Sequence, residues 1–193
     1  MAMASSSFSL RRAIVPFLLL PLLFVAALPA ELTGDILLPS CKTVGGGSTY
    51  FDVQFCLDAL GSVGAGVDAK NYQDLAAVAV GLLTANTTST SDKIDGLLRN
   101  GGGAGKVDAA TARCLRSCRA LYAGIARRQP ACAAAVRGGR FGEARSSLEE
   151  SAAAARECED GFRRGNATSP VTAEDDNTFK LAKLGVALLG FAW

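Results

Sequence analysis

The chain has 193 residues, with 20 basic and 18 acidic side chains and no histidine. This length suits one domain once a leader is removed. The lack of histidine excludes Ser-His-Asp and Cys-His nucleophile systems and histidine-containing zinc sites.

The N-terminus reads MAMASSSFSLRR and then AIVPFLLLPLLFVAAL. A basic head, an apolar run and an exit in small residues make a secretory signal peptide over residues 1–30, expected to be cleaved near residues 27–30. Two prolines and the short run argue against a membrane anchor, so no membrane association is expected after cleavage. Cleavage takes Arg11 and Arg12 from the 20 basic side chains and removes no acid, leaving 18 against 18. With no net charge and no basic stripe interleaved with aromatics, no nucleic-acid partner is expected.

Residues 31–193 form the remaining domain and hold all six cysteines: Cys41, Cys56, Cys114, Cys118, Cys132 and Cys158. A secretory compartment favours disulfides, and spacing alone does not choose among the pairings. The sequons NTT at Asn86 and NAT at Asn166 are expected glycosylation sites.

CKTVGGGSTYFDVQFC sets Cys41 and Cys56 around a glycine-rich turn, where a disulfide would close a short hairpin. LDALGSVGAGVDAKNYQ reads as a short helix and a loop. From Tyr72, apolar residues at Leu75, Val78, Leu82, Leu83, Ile94, Leu97 and Leu98 follow a helical period. NGGGAG at Asn100–Gly105 ends that helix. Asp108 is the expected N-cap of a second long helix, with Cys114, Cys118, Leu121 and Ile125 along one face. Pro130 should kink or interrupt it, and Gly138–Gly139 stop it. A third helix carries Phe141, Ala144, Leu148, Ala152, Ala155 and Cys158 on a stripe, and ends at Gly165. A fourth begins at TAEDD, where Thr172 and Asp175 suggest a capping box and Asp176 suits the helix dipole. Leu181, Leu184 and Leu188 widen its apolar face, which predicts deep burial. This stripe begins well upstream of LGVALLGFAW, which argues against a processed lipid-anchor tail.

Four helices with short connections predict an all-α, up-down-up-down four-helix bundle. Adjacent helices are then antiparallel. Cys118 and Cys158 lie at comparable distances either side of the turn at Gly138–Arg140. Cys114 is one turn further out, roughly 6 Å along the axis. Cys158 can therefore lie level with one of the two, not both.

NGGGAGKV departs from the phosphate-loop pattern at Asn100 and Val107, and the missing hydroxyl would have held the magnesium. Cys114 and Cys118 would need two more soft ligands to bind zinc. No metal and no cofactor are expected, nor does a paired-acid motif point to a carboxylate enzyme.

The stretches SCRALY (Cys118–Tyr122), ECEDGF (Cys158–Phe162) and SPVTAEDDNTFKLAKLGVAL, in this order behind a cysteine hairpin, carry a resemblance. Together they resemble the plant invertase/pectin methylesterase inhibitor family, in particular its branch of pollen-allergen-like invertase inhibitors. The resemblance covers roughly residues 35–190. It implies disulfides Cys41–Cys56 and Cys118–Cys158, and an N-terminal helical hairpin closed by the first. Cys114 and Cys132 are left over. They would lie ~27 Å apart on a continuous helix, beyond disulfide reach, and are expected to be free or paired between chains as a homodimer.

The resemblance also implies a secreted enzyme inhibitor, not an enzyme, whose partner is a pectin methylesterase or an acid invertase. The implied location is the apoplast or cell wall, with the vacuole as the alternative. Invertase inhibitors of this family are similar in a Pro-Lys-Phe segment that enters the target's active site. Here that segment reads Gly139–Arg140–Phe141. The cation and the aromatic are kept in kind, and glycine in place of proline is expected to loosen the turn. Alternatively, Arg140 is simply solvated and Phe141 begins a core stripe. Pectin methylesterase inhibition in the family uses a broad bundle face that no short motif announces. A different class of function is a non-inhibitory secreted binding module that retains the family fold.

Overall fold

The computed structural model describes residues 36–99 and 107–193. The expected leader and the Asn100–Gly105 loop lie outside these residues. Two helices, α1 (Leu37–Gly46) and α2 (Val53–Gly61), form a hairpin, and α3 (Gly64–Val67) is a single turn. Four long helices follow: α4 (Tyr72–Arg99), α5 (Ala109–Arg137), α6 (Phe141–Arg164) and α7 (Thr172–Leu189). Each long helix packs on two neighbours, in the ring α4–α5–α6–α7 and back to α4. Among the described residues there is no strand, and no helix is long and apolar enough to cross a membrane.

The hairpin closes for local reasons. Asp52 caps α2 by accepting from the Phe55 amide at 2.8 Å. A side chain at Gly45 would stand 2.8 Å from the Val53 backbone, so the glycine lets α1 and α2 approach. The Cys41–Cys56 disulfide then joins them, with Cα atoms 5.5 Å apart.

The long helices start on side-chain caps where the sequence offers them. Asn71 accepts from the Asp74 amide at 2.9 Å, and Asp74 in turn accepts from the Lys70 amide at 2.9 Å. Asp108 accepts from the amides of Ala110 and Thr111 at 2.8 and 3.0 Å. A further bond from the Thr111 hydroxyl does most to hold the Asp108 carboxyl below its ordinary pKa. At α7 the expected capping box does not form. The N-cap position is Val171, without a side-chain cap. Thr172 donates to the Glu159 carboxylate of α6 instead, and Asp175 turns inward. Tertiary partners outcompete the local cap at both positions.

Pro130 does not interrupt α5, which runs unbroken from Ala109 to Arg137. Pro130 is exposed, while its neighbours Gln129 and Cys132 are buried. The carbonyl that loses its donor, at exposed Ala126, can be hydrated, and packing on either side holds the helix together. The buried stripe of α5 is also rotated from the expected one. Leu115 and Tyr122 are fully buried, whereas Cys114 and Leu121 are half-buried.

The core has two parts. The larger joins the hairpin to Leu75, Val80 and Leu83 of α4, Val136 of α5, Leu148 of α6 and Leu184 and Leu188 of α7. The smaller gathers Ile94, Leu115, Tyr122, Ile125, the Cys118–Cys158 pair, Phe162 and Val171. Several polar side chains, Thr87, Thr90, Tyr122, Gln129, Ser151, Asp175 and Thr178, are buried within the bundle. Their burial was not legible in the apolar periodicity.

Candidate functional site

The α5–α6 turn closes in a fully hydrogen-bonded form. Gly138 donates to the Ala134 carbonyl (2.9 Å), Gly139 to Val136 (3.1 Å) and Arg140 to Ala135 (2.9 Å). These are the crossed bonds of a Schellman cap, which requires a left-handed residue at its centre. Gly139 supplies it with φ +70°. The loosening expected from glycine at this place is therefore not what the backbone shows: glycine is the residue that lets the turn close.

Gln73, from the first turn of α4, reinforces the same point. Its side-chain amide donates to the carbonyls of Val136 (2.8 Å) and Arg137 (3.3 Å).

Arg140 is exposed and lies back across the turn. Its Nε donates to Glu143 at 3.0 Å, and a side chain on Gly138 would meet its Nη1 at 2.6 Å. Phe141 is half-buried and packs on the edge of the larger core. Gly139, Arg140 and Phe141 are thus together at one end of the bundle: an exposed cation, and an aromatic ring partly committed to the interior.

The second disulfide sits toward the other end of the α5–α6 pair. Cys118 and Cys158 are bonded, with Cα atoms 4.8 Å apart. Cys158 lies 17 residues beyond Phe141, about 25 Å along α6. Cys114 and Cys132 are free. The half-buried Cys114 thiol donates to the Gly161 carbonyl at 3.5 Å. Cys132 is 1% exposed, and burial pushes its thiol pKa up. A bond between chains at Cys132 would require the bundle to open, so the expected alternative of an interchain pair is open to Cys114.

The two sequons differ sharply. Asn166 is exposed just after α6, in a left-handed conformation with φ 48°. Asn86 lies within α4 and faces α7. Its Nδ2 donates to the Thr178 hydroxyl at 2.6 Å and to the Glu174 carbonyl at 3.4 Å, while its Oδ1 accepts from Asn177 at 2.9 Å.

Tyr122, the last residue of SCRALY, has a role the motif did not disclose. Its hydroxyl donates to Asp175 Oδ1 at 2.7 Å and lies 3.0 Å from the Thr178 hydroxyl. Asp175 is 3% exposed, and its Oδ2 has no hydrogen-bond partner among the described residues. Burial pushes its carboxyl up to about 7; the Tyr122 bond opposes this, and the nearby Glu159 carboxylate adds to it. Burial beside this acid also raises the Tyr122 hydroxyl well above its ordinary pKa.

On the adjoining surface, Tyr50 from the hairpin loop meets Phe179 of α7 edge to face, with centroids 5.5 Å apart. The Arg156 guanidinium lies 3.9 Å above the Phe179 ring, and Lys183 sits 4.7 Å from Tyr50. A cleft of about 350 Å³ opens here between Tyr50, Arg156, Glu159, Asp175 and Phe179. Three separate elements contribute to it, so no contiguous motif announces it. Among the described residues no group of three or more Cys, Asp or Glu side chains could hold a metal ion.

A family model described as plant invertase/pectin methylesterase inhibitor matches residues 39–188. Among solved structures, a mutant form of a pectin methylesterase inhibitor from Arabidopsis matches with a TM-score of 0.68 and 19% identity, over 80% of this chain and 97% of that one. A pectin methylesterase inhibitor from Arabidopsis thaliana matches with a TM-score of 0.59 and 17% identity, over 83% and 97%. At these identities the likeness is one of fold. No curated protein matches the chain.

Proposed function

Because the chain belongs to the plant invertase/pectin methylesterase inhibitor family, we propose that it is a secreted inhibitor of a plant cell-wall carbohydrate-active enzyme. Its target is a pectin methylesterase or an acid invertase, and it acts by occupying the active-site cleft. For an acid invertase, the observation that carries this reading is the α5–α6 turn, where a hydrogen-bonded cap presents Arg140 beside Phe141. Glycosidase clefts hold catalytic carboxylates. A guanidinium can pair with a carboxylate through two parallel bonds, and an adjacent aromatic supplies a desolvating anchor. Arg140 would exchange Glu143 for the target's acid. The residues 31–193 are the inhibitory domain, delivered by the leader to the apoplast or cell wall, with Asn166 available for a glycan.

The flank where exposed Tyr50 and Arg156 border buried Phe179 and half-buried Lys183 favours a second reading, in which pectin methylesterase is covered by this flank and the turn is peripheral. Titrating the purified domain against a plant pectin methylesterase and a plant acid invertase separates the two. Loss of invertase activity is expected on the first reading and loss of esterase activity on the second. Inhibition of neither, across several enzymes of each kind, would move the protein to the class of non-inhibitory binding modules.

A further inference from the structure

We propose that Gln73 is the positioning residue of the Gly139–Arg140–Phe141 turn, holding the end of α5 from which Arg140 is presented. The inference rests on the reading of that turn as the target contact.

A helix leaves its last carbonyls without intrahelical partners, and an exposed end frays unless something takes them. Within the turn itself, Gly138, Gly139 and Arg140 occupy the carbonyls of Ala134, Val136 and Ala135. Gln73 adds a second donor to Val136 and reaches Arg137, one residue before the double glycine. These two bonds cross 63 and 64 residues of sequence and join the start of α4 to the end of α5.

The base from which Gln73 reaches is itself fixed. Asn71 and Asp74 cap the start of α4 on either side of it. Gln73 is half-buried, and its side-chain amide is committed to these two carbonyls of α5. Gln73 thus reaches from the capped first turn of α4 into the cap at the end of α5 from which Arg140 leaves. Holding a binding element in its bound geometry lowers the ordering cost of association.

The test uses the full secreted chain and two substitutions. Gln73→Met keeps the length and removes both donors. Gln73→Glu sets a carboxylate against two carbonyl oxygens. Arg140→Ala is run beside them. Three quantities are measured: thermal unfolding, amide hydrogen exchange, and dissociation from a plant acid invertase.

Expected for Gln73→Met are an unfolding temperature within about 2 °C of the parent, exchange at the Gly139 and Arg140 amides faster by about ten-fold with amides around Cys118 unaffected, and dissociation faster by about ten-fold. Gln73→Glu should exceed it in both kinetic effects. If Arg140→Ala weakens inhibition and both Gln73 variants leave exchange and dissociation unchanged, the positioning role is overturned and the turn reading stands. If Arg140→Ala and the Gln73 variants all inhibit normally, or if the parent does not inhibit acid invertase, the turn reading falls and the positioning role with it.

Discussion

Replacing Asp175 by asparagine should alter how stability depends on pH, and the size of the effect follows from the site. The folded protein holds this carboxyl at about 7 against an ordinary 3.8, chiefly through burial. A carboxyl whose folded pKa is raised binds its proton more tightly in the folded state than in the unfolded one. Its contribution is therefore fully present below about pH 3.8 and is lost as pH rises through 7. Above pH 7 the folded state carries an ionised group that costs on the order of 4 kcal/mol relative to the unfolded chain. Asparagine keeps an oxygen to accept from Tyr122, removes the charge, and can direct its amide toward Glu159. Urea unfolding of parent and variant at several pH values between 4 and 8 isolates this site, because titrations away from Asp175 and its neighbours Glu159 and Glu174 cancel in the difference. The variant should gain on the parent steadily across this range, by on the order of 3–4 kcal/mol, or about 10 °C in unfolding temperature for a domain of this size. Stability curves that stay parallel from pH 4 to 8 would refute the argument and place the Asp175 carboxyl in its ordinary range.

Other predictions concern the sequons and the thiols. Glycan should be found on Asn166 and not on Asn86 in secreted protein, as read by peptide mass after enzymatic deglycosylation in heavy water; Asn86→Ala should cost about 1–3 kcal/mol, because it removes the side-chain bonds to Thr178, Glu174 and Asn177 of α7. Removing the Cys118–Cys158 disulfide by a double alanine substitution, which opens a loop of 40 residues, should cost about 4 kcal/mol on the loop-entropy estimate, measured by urea unfolding in the absence of reductant. Cys114 should react with a thiol reagent in the native protein, whereas Cys132 should react at a rate set by unfolding, since it is buried and its thiolate is disfavoured.

The bundle was readable because its signals are local. The 3.6 period of Leu75, Leu83 and Ile94, the Asp108 cap and the stripe from Ala144 to Cys158 each specify a helix face without help from the rest of the chain. The antiparallel turn brought Cys158 level with one of two cysteines, and only the resemblance chose Cys118. What escaped the sequence depends on distant partners. Asp175 read as part of a cap because an acid near a helix start usually is one; Tyr122, 53 residues earlier, draws it inward. Asn86 read as a glycan acceptor, yet its amide bridges α4 to α7. Pro130 read as an interruption, but it falls on the solvent side of α5, where a missing hydrogen bond costs least. Gly139 read as slack, and its left-handed conformation instead closes the turn. The aromatic and cationic cluster at Tyr50, Phe179, Arg156 and Lys183 draws on the hairpin loop, α6 and α7, and has no expression in any short stretch.

The claim that the α5–α6 turn is the contact with the target is tested most directly by the inhibition constant of Arg140→Glu against plant acid invertase, with the unfolding temperature measured beside it. Arg140 is exposed, and its ion pair with Glu143 is a surface pair that contributes little to stability, so the fold should persist. A carboxylate facing an acidic cleft should weaken inhibition by about a hundred-fold or more, in keeping with the loss of a charge-assisted hot spot. Inhibition equal to that of the parent, from a folded variant, would contradict the account and move the contact to another face of the bundle.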